Sequence, residues 1–218
     1  MVLSAVLDVV LGSRCAICDT AGPVVCGPCR GRLGAVRPGP AVEGLGQLVA
    51  LFDYDRGGGD LITALKYRGR TSLARWLGSA LGIAVLDRIQ PRPSMVTWAP
   101  TTRDRRRSRG FDQSEVLARE VARVLRVPAR PTLIRIGNEH QTGRPRSERR
   151  DSGPRFHTPS ATAGFVLLVD DVVTTGATLV SARRALLVAG ASGVAAGCVA
   201  RVAAPSSAHQ SRDVALDG

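Results

Sequence analysis

The stretch VLLVDDVVTTGATL, residues 166–179, decides the reading of this 218-residue chain. An apolar run of strand character ends in two adjacent carboxylates, Asp170 and Asp171, and a Thr-Thr-Gly-Ala-Thr turn follows at once. Like charges side by side repel, so packing alone gives no reason for the pair. In an open α/β sheet, ligands sit beyond the carboxyl ends of the strands. A turn leading into a helix N-terminus offers free amides and the positive end of the helix dipole to an anion. Gly176 lets a ligand approach the backbone, and Thr174, Thr175 and Thr178 add hydroxyls. A phosphate on this turn, with the carboxylates accepting from neighbouring hydroxyls, describes a ribose 5-phosphate. The acid pair then acts as a diol clamp. The competing reading is a strand entering a helix through an ordinary polar turn.

Working outward, strands and helices alternate, which implies an α/β fold with a parallel sheet and right-handed crossovers. LVALFDY (48–54) reads as a strand, and helices are expected from near Asp60 and over about 72–87. SMVTWAP (94–100) is a short strand and TTRDRRRSRGF (101–111) a loop. Asp112 and Glu115 have capping-box spacing and open a helix over QSEVLAREVARVLR. PTLIRI (131–136) is the next strand, and residues 137–163, polar and without periodicity, form a long loop. GFVLLVD (164–170) is apolar throughout, as a strand covered on both faces must be. A helix ending at Gly190 and a strand VAAGCVARV complete the core.

Upstream, RPGP (37–40) is a linker, because two prolines around a glycine continue neither helix nor strand. Residues 1–40 form an N-terminal helix and a metal module, 41–203 the main domain, and 204–218 a flexible tail. Leu3, Val6, Leu7, Val10 and Leu11 recur at helical spacing, and Asp8 with no basic start argues against an export signal. No apolar run is long enough to span a bilayer, so a cytoplasmic protein without membrane insertion is expected. Cys15, Cys18, Cys26 and Cys29 form two CxxC pairs separated by seven residues. In a reducing compartment such pairs are metal ligands more often than disulfides. Four thiolates close a tetrahedron around a structural zinc, with Arg14, Arg30 and Arg32 near enough in sequence to offset its negative charge. A metal-free knuckle or a redox pair is the alternative. Cys198, inside an apolar strand, reads as a core residue.

The formal charge of +12 points to an anionic partner. Lys66 is the only lysine among 30 Lys and Arg residues. Its compact ammonium suits a phosphate, or it lies on a solvated helix face.

The segment 166–179 resembles the phosphoribosyl-pyrophosphate signature of type I phosphoribosyltransferases. CAIC…CGPC, LKYRG, RSRGFDQSEVLA and QTGRPRSERR, in this order, resemble the ComF/GntX-like members of that fold, over nearly the whole chain except its tail. Asp112 stands where that group usually has Asn, and the asparagine usual after Arg150 is missing. The resemblance implies a parallel-sheet phosphoribosyltransferase core carrying a small N-terminal four-cysteine zinc knuckle. It gives Asp170 and Asp171 the ribose hydroxyls, and Thr174, Thr175, Gly176, Ala177 and Thr178 the 5-phosphate. Pyrophosphate falls to Arg103, Arg107 and Arg109, with Lys66, while Arg105 and Arg106 are left to solvent. Gln141, Arg144, Arg149 and Arg150 lie where this fold has a mobile loop over the donor; His140 and His157 are incidental. The implied ligand is phosphoribosyl pyrophosphate with magnesium, and the implied activity is phosphoribosyl transfer to an unidentified acceptor. The alternative is a competence-related role in single-stranded DNA uptake and processing with a helicase partner. Sparse aromatics, 4% of residues, weigh against a stacking platform for single strands.

Overall fold

The computed structural model describes residues 14–36, 41–67, 71–136 and 154–203. The N-terminal helix, the 37–40 linker, the tail, and Gln141, Arg144, Arg149, Arg150 and His140 fall outside these residues. In chain order the elements are α1 (Gly27–Gly31), β1 (Leu48–Asp53), α2 (Gly59–Tyr67), α3 (Thr71–Arg88) and β2 (Met95–Trp98). Then come α4 (Arg103–Arg109), α5 (Gln113–Leu125), β3 (Ile134–Ile136), β4 (Arg155–His157), β5 (Phe165–Val173), α6 (Ala177–Val188) and β6 (Gly193–Arg201).

The sheet has the order β1–β6–β5–β2, and every neighbouring pair is parallel. Side chains alternate across a strand, so β5 feeds two cores. Leu167 and Val169 join Leu73, Leu77 and Leu81 of α3 and Leu117 and Val121 of α5. Val166 and Leu168 join Leu179, Ala182 and Leu186 of α6 on the other face. Helices on both faces explain why β5 is apolar without interruption up to its acids. Cys198 is fully buried in β6, as expected of a core residue. Helices α3 and α5 approach closely because Gly82 has no side chain; a Cβ there would lie 2.7 Å from Cβ of Val124.

Three local expectations change. Residues 103–109 form a helix rather than a loop: Thr102 Oγ1 accepts from Arg105 N, and Gly110 closes the C-terminus at φ 79°. This helix buries nothing, so it carries no apolar periodicity, and only its caps signal it. The expected strand at 131–136 shortens to β3 and pairs antiparallel with β4, which lies inside the stretch read as a loop. Only a short link separates α5 from β3, whereas a further parallel core strand would need a crossover of about a dozen residues. Finally, β5 runs on to Val173, so Asp170 and Asp171 lie within its last turns of pleat rather than beyond its end.

The cysteine segment docks on this body. Asp53 N donates to Gly34 O and Gly34 N to Arg56 O. Cys15, Ala16, Val25 and Cys29 share one buried cluster with Leu61, Ile62 and Leu65 of α2. No helix among the described residues is long and apolar enough to cross a membrane.

Candidate functional site

The carboxyl end of β5 brings its two acids against two different helices. Asp112 caps α5, accepting from Ser114 N at 3.0 Å and Glu115 N at 3.4 Å, and its other oxygen accepts from Thr101 N at 2.9 Å. That cap ties the end of β2 to the start of α5, and burial pushes the Asp112 carboxyl above its usual range. Thus fixed, Ser114 donates its hydroxyl to Asp170 Oδ1 at 3.0 Å, an atom that also accepts from Asp171 N at 2.9 Å. Asp171 Oδ2 pairs with Lys66 Nζ of α2 at 2.9 Å, and both side chains are largely buried. Burial first, and the neighbouring Asp171 charge second, push the Asp170 carboxyl up to about 7. Two adjacent carboxylates coexist here because one is neutralised by Lys66 and the other holds a proton readily.

A cavity of about 190 Å³ opens over the pair. Its lining combines Asp170, Asp171 and Ser114 with Lys66, Arg105, Arg109, Gln113 and Arg135, and with Thr174 and Thr178 of the turn. Arg135 reaches it from β3, held by Pro100 O at 3.3 Å and lying 5.6 Å over the Phe156 ring. Burial lowers the pKa of this guanidinium. A second cavity, of about 710 Å³, shares Pro100, Thr101 and Arg135 with the first and extends between α4 and the β3–β4 ribbon.

The turn after β5 is built for close approach. Gly176 adopts φ 82° at the N-cap of α6, and it offers no side-chain cap to the first-turn amides. A Cβ at Gly176 would collide with Val42, so both conformation and space call for glycine. Thr175 Oγ1 accepts weakly from Ala177 N at 3.4 Å. The helix start therefore keeps most of its orphan donors for an anion.

Of the residues singled out from sequence, Asp170, Asp171, Thr174, Thr178, Lys66 and Arg109 meet around the small cavity. Arg103 lines the larger one. Arg107, Thr175 and Ala177 are exposed and line neither; Gln141 and Arg149 fall outside the described residues. Arg105, left to solvent in the sequence reading, lines the small cavity, whereas Arg106 does pair with Glu115 at 3.7 Å near the surface. Sequence reasoning missed Ser114, Gln113 and Arg135. The first two belong to the RSRGFDQSEVLA segment already noted, but only the tertiary fold brings them to residues some fifty positions away.

The four cysteines of the knuckle form a second site. Their sulfurs all lie within 4.8 Å of one another, and Cys18 and Cys26 Sγ are 3.6 Å apart. A tetrahedron of thiolates at a metal–sulfur distance of about 2.3 Å has edges of roughly 3.8 Å, so the donor set fits a bound ion. Cys15 Sγ accepts from Cys26 N and Cys29 Sγ from Arg32 Nη2, each at 3.5 Å, contacts that suit thiolates. A hydrogen bond with the Thr20 hydroxyl leads the effects that lower the Cys18 thiol to about 6.

With this geometry in hand, comparison with known proteins is informative. The phosphoribosyl transferase domain family matches residues 112–217, a span that includes the acid pair and its turn. Competence protein ComFC of Bacillus subtilis is 30% identical over 141 residues, 63% of this chain and 57% of that protein. The match thus spans little more than half of that relative's length. DNA utilization protein YhgH of Escherichia coli is 27% identical over 203 residues, 89% of this chain and 85% of that one. Among solved structures, purine phosphoribosyltransferase from Pyrococcus horikoshii covers 59% of this chain and 73% of its own at 15% identity, with a TM-score of 0.40. The parallel α/β core and the family match define a protein of phosphoribosyltransferase-like fold. More narrowly, it is a ComF-like protein with a four-cysteine knuckle near its N-terminus.

The raised Asp170 carboxyl has a consequence for stability. The folded chain keeps a proton that the unfolded chain sheds near 3.8, so stability falls as pH rises from that value to about 7. Asparagine cannot ionise. Without ligand, the urea midpoint of Asp170→Asn should therefore gain on wild type between about pH 5 and pH 8, by on the order of 1–2 kcal/mol. A constant difference across that range refutes the buried-carboxyl account.

Proposed function

We propose that this protein binds phosphoribosyl pyrophosphate at the carboxyl end of β5 and transfers its phosphoribosyl group to an acceptor. One observation carries the reading: the two carboxylates each have one oxygen anchored, by Ser114 and by Lys66, beside a helix start whose cap is a glycine. The remaining oxygens of Asp170 and Asp171 accept from the ribose 2- and 3-hydroxyls. Amides of the 174–178 turn, with Thr174 and Thr178, take the 5-phosphate. In the transfer, the bond from the anomeric carbon to diphosphate breaks and diphosphate leaves with the electron pair. The acceptor atom bonds to the same carbon and gives its proton to solvent. No protein nucleophile is required, so catalysis rests on holding the sugar and on stabilising the charge of the leaving group. Arg105, Arg109 and Arg135 supply that positive charge, since guanidinium forks suit phosphoryl oxygens. Magnesium, bound chiefly by the diphosphate and waters, would neutralise further charge there. We assign the knuckle a structural zinc, because four thiolates are that ion's closed set. A reducing, cytoplasmic setting keeps those thiols available.

A second reading, a role in handling single-stranded DNA with a helicase partner, is supported by the +12 charge and by what the two relatives are called. It does not need turnover at the β5 site.

Calorimetry with phosphoribosyl pyrophosphate and magnesium tests the first reading. Wild type should bind, and Asp170→Asn/Asp171→Asn should weaken binding by on the order of a hundredfold, the loss of two charged acceptors. Wild type that binds nothing sinks it. Gel shifts of single-stranded DNA over a salt series test the second: retardation should fade steeply as salt rises, and no shift at low salt rules it out. Metal analysis of protein purified without chelator should find one zinc for each four-cysteine knuckle; a content near zero removes that assignment.

A further inference from the structure

Gln113 opens α5 and is only 2% exposed. Its Oε1 accepts from Arg109 Nη1 at 3.2 Å, and the Arg109 guanidinium lies 5.5 Å over the Tyr67 ring. Its Nε2 is buried and has no partner among the described residues. The amide cannot be turned over, because Nε2 and the guanidinium would then aim donors at each other. Arg109, steadied by Tyr67, thus holds the Gln113 donor toward the small cavity that both residues line. The nearby carboxylate offers no relief, since Asp170 Oδ1 is engaged by Ser114 and by Asp171 N. A buried donor left unpaired costs as much as a lost hydrogen bond, so its persistence points to an acceptor that arrives with a ligand.

The chemistry of that acceptor follows from the company Gln113 keeps. It enters the cavity from α5 beside Arg105, Arg109 and Arg135, not from the β5–α6 turn. With the diol on the acids and the 5-phosphate on that turn, the part of the ligand left for this wall is what extends from the anomeric carbon. We propose that Gln113 is a specificity-determining residue whose amide donates to a phosphoryl oxygen of the anomeric diphosphate, selecting the activated sugar over ribose 5-phosphate. Arg109 and Tyr67 are its positioning residues. This inference rests on the phosphoribosyl reading above and extends it to a residue that the acid-pair signature does not contain.

The test is a ratio of affinities. Calorimetry in magnesium compares phosphoribosyl pyrophosphate with ribose 5-phosphate on wild type, Gln113→Met and Gln113→Glu. Gln113→Met keeps the shape without the donor, and its preference for the diphosphate compound should drop about tenfold while ribose 5-phosphate affinity stays within about twofold. Gln113→Glu, which presents an acceptor and a charge instead, should lose more. The urea midpoint of Gln113→Met should match or exceed wild type, since an unpaired buried donor has gone. An unchanged preference, or equal loss for both ligands, overturns the role of Gln113 and leaves the phosphoribosyl reading standing. Wild type that binds neither compound overturns that reading and this inference together.

Discussion

Two neighbouring carboxylates at the end of one strand set the terms for the rest of the molecule. Successive residues on a strand point to opposite faces, so Asp170 and Asp171 are met by separate helices. Ser114 comes from α5 and Lys66 from α2. The two solutions differ in kind. Lys66 cancels one charge outright, while a hydroxyl and a backbone amide offset burial at the other only in part, leaving its carboxyl high at about 7. A site fully neutralised by protein cations would have nothing left for hydroxyl groups of a ligand. A site with none would not fold around two buried charges. The arrangement lies between these limits.

Keeping those helices in place explains features that otherwise look unrelated. Gly82 allows α5 to lie close against α3, and Asp112 fixes the first turn of α5 to Thr101 at the end of β2. Asp112 is where the sequence departs from the asparagine of its resemblance group. The carboxylate performs a job asparagine does less fully here: Oδ1 accepts from two amides of α5 while Oδ2 accepts from Thr101 N. An asparagine would present one acceptor oxygen and one donor nitrogen to the same three N–H groups. The substitution therefore moves this position toward a stronger cap, at the cost of another buried acid near Asp170.

What the sequence made legible is what lies within one short segment. The acids, the turn and the helix start are contiguous, so strand, clamp and anion site could be read together, and the flanking apolar periods placed the sheet. Short-range caps were legible too, as Asp112 shows. Features without an apolar stripe were not: α4 buries none of its residues, and β3 leaves Ile134 and Ile136 about half exposed. Ser114, Gln113 and Arg135 had no signal of their own, because each matters only through a cavity assembled from several elements. Lys66 is the instructive case. Its rarity marked it as functional, and charge logic assigned it to phosphate. The fold instead gives it a carboxylate partner, since α2 passes the end of β5.

That placement of α2 also gives the cysteine knuckle a physical connection to the acid pair. Leu61, Ile62 and Leu65 bury the inner face of α2 against a cluster that includes Cys15, Ala16, Val25 and Cys29. The wide turn into α2 is held by the same segment, through the bond from Gly34 N to Arg56 O. A four-cysteine knuckle has too small a core to order itself, and a metal supplies the missing folding free energy in such modules. Its order is then passed to α2 through apolar contact, and α2 carries the one ammonium that neutralises Asp171. The knuckle needs no contact with a ligand to matter at the site. It acts by holding a helix whose last turn must reach a carboxylate to within hydrogen-bond distance.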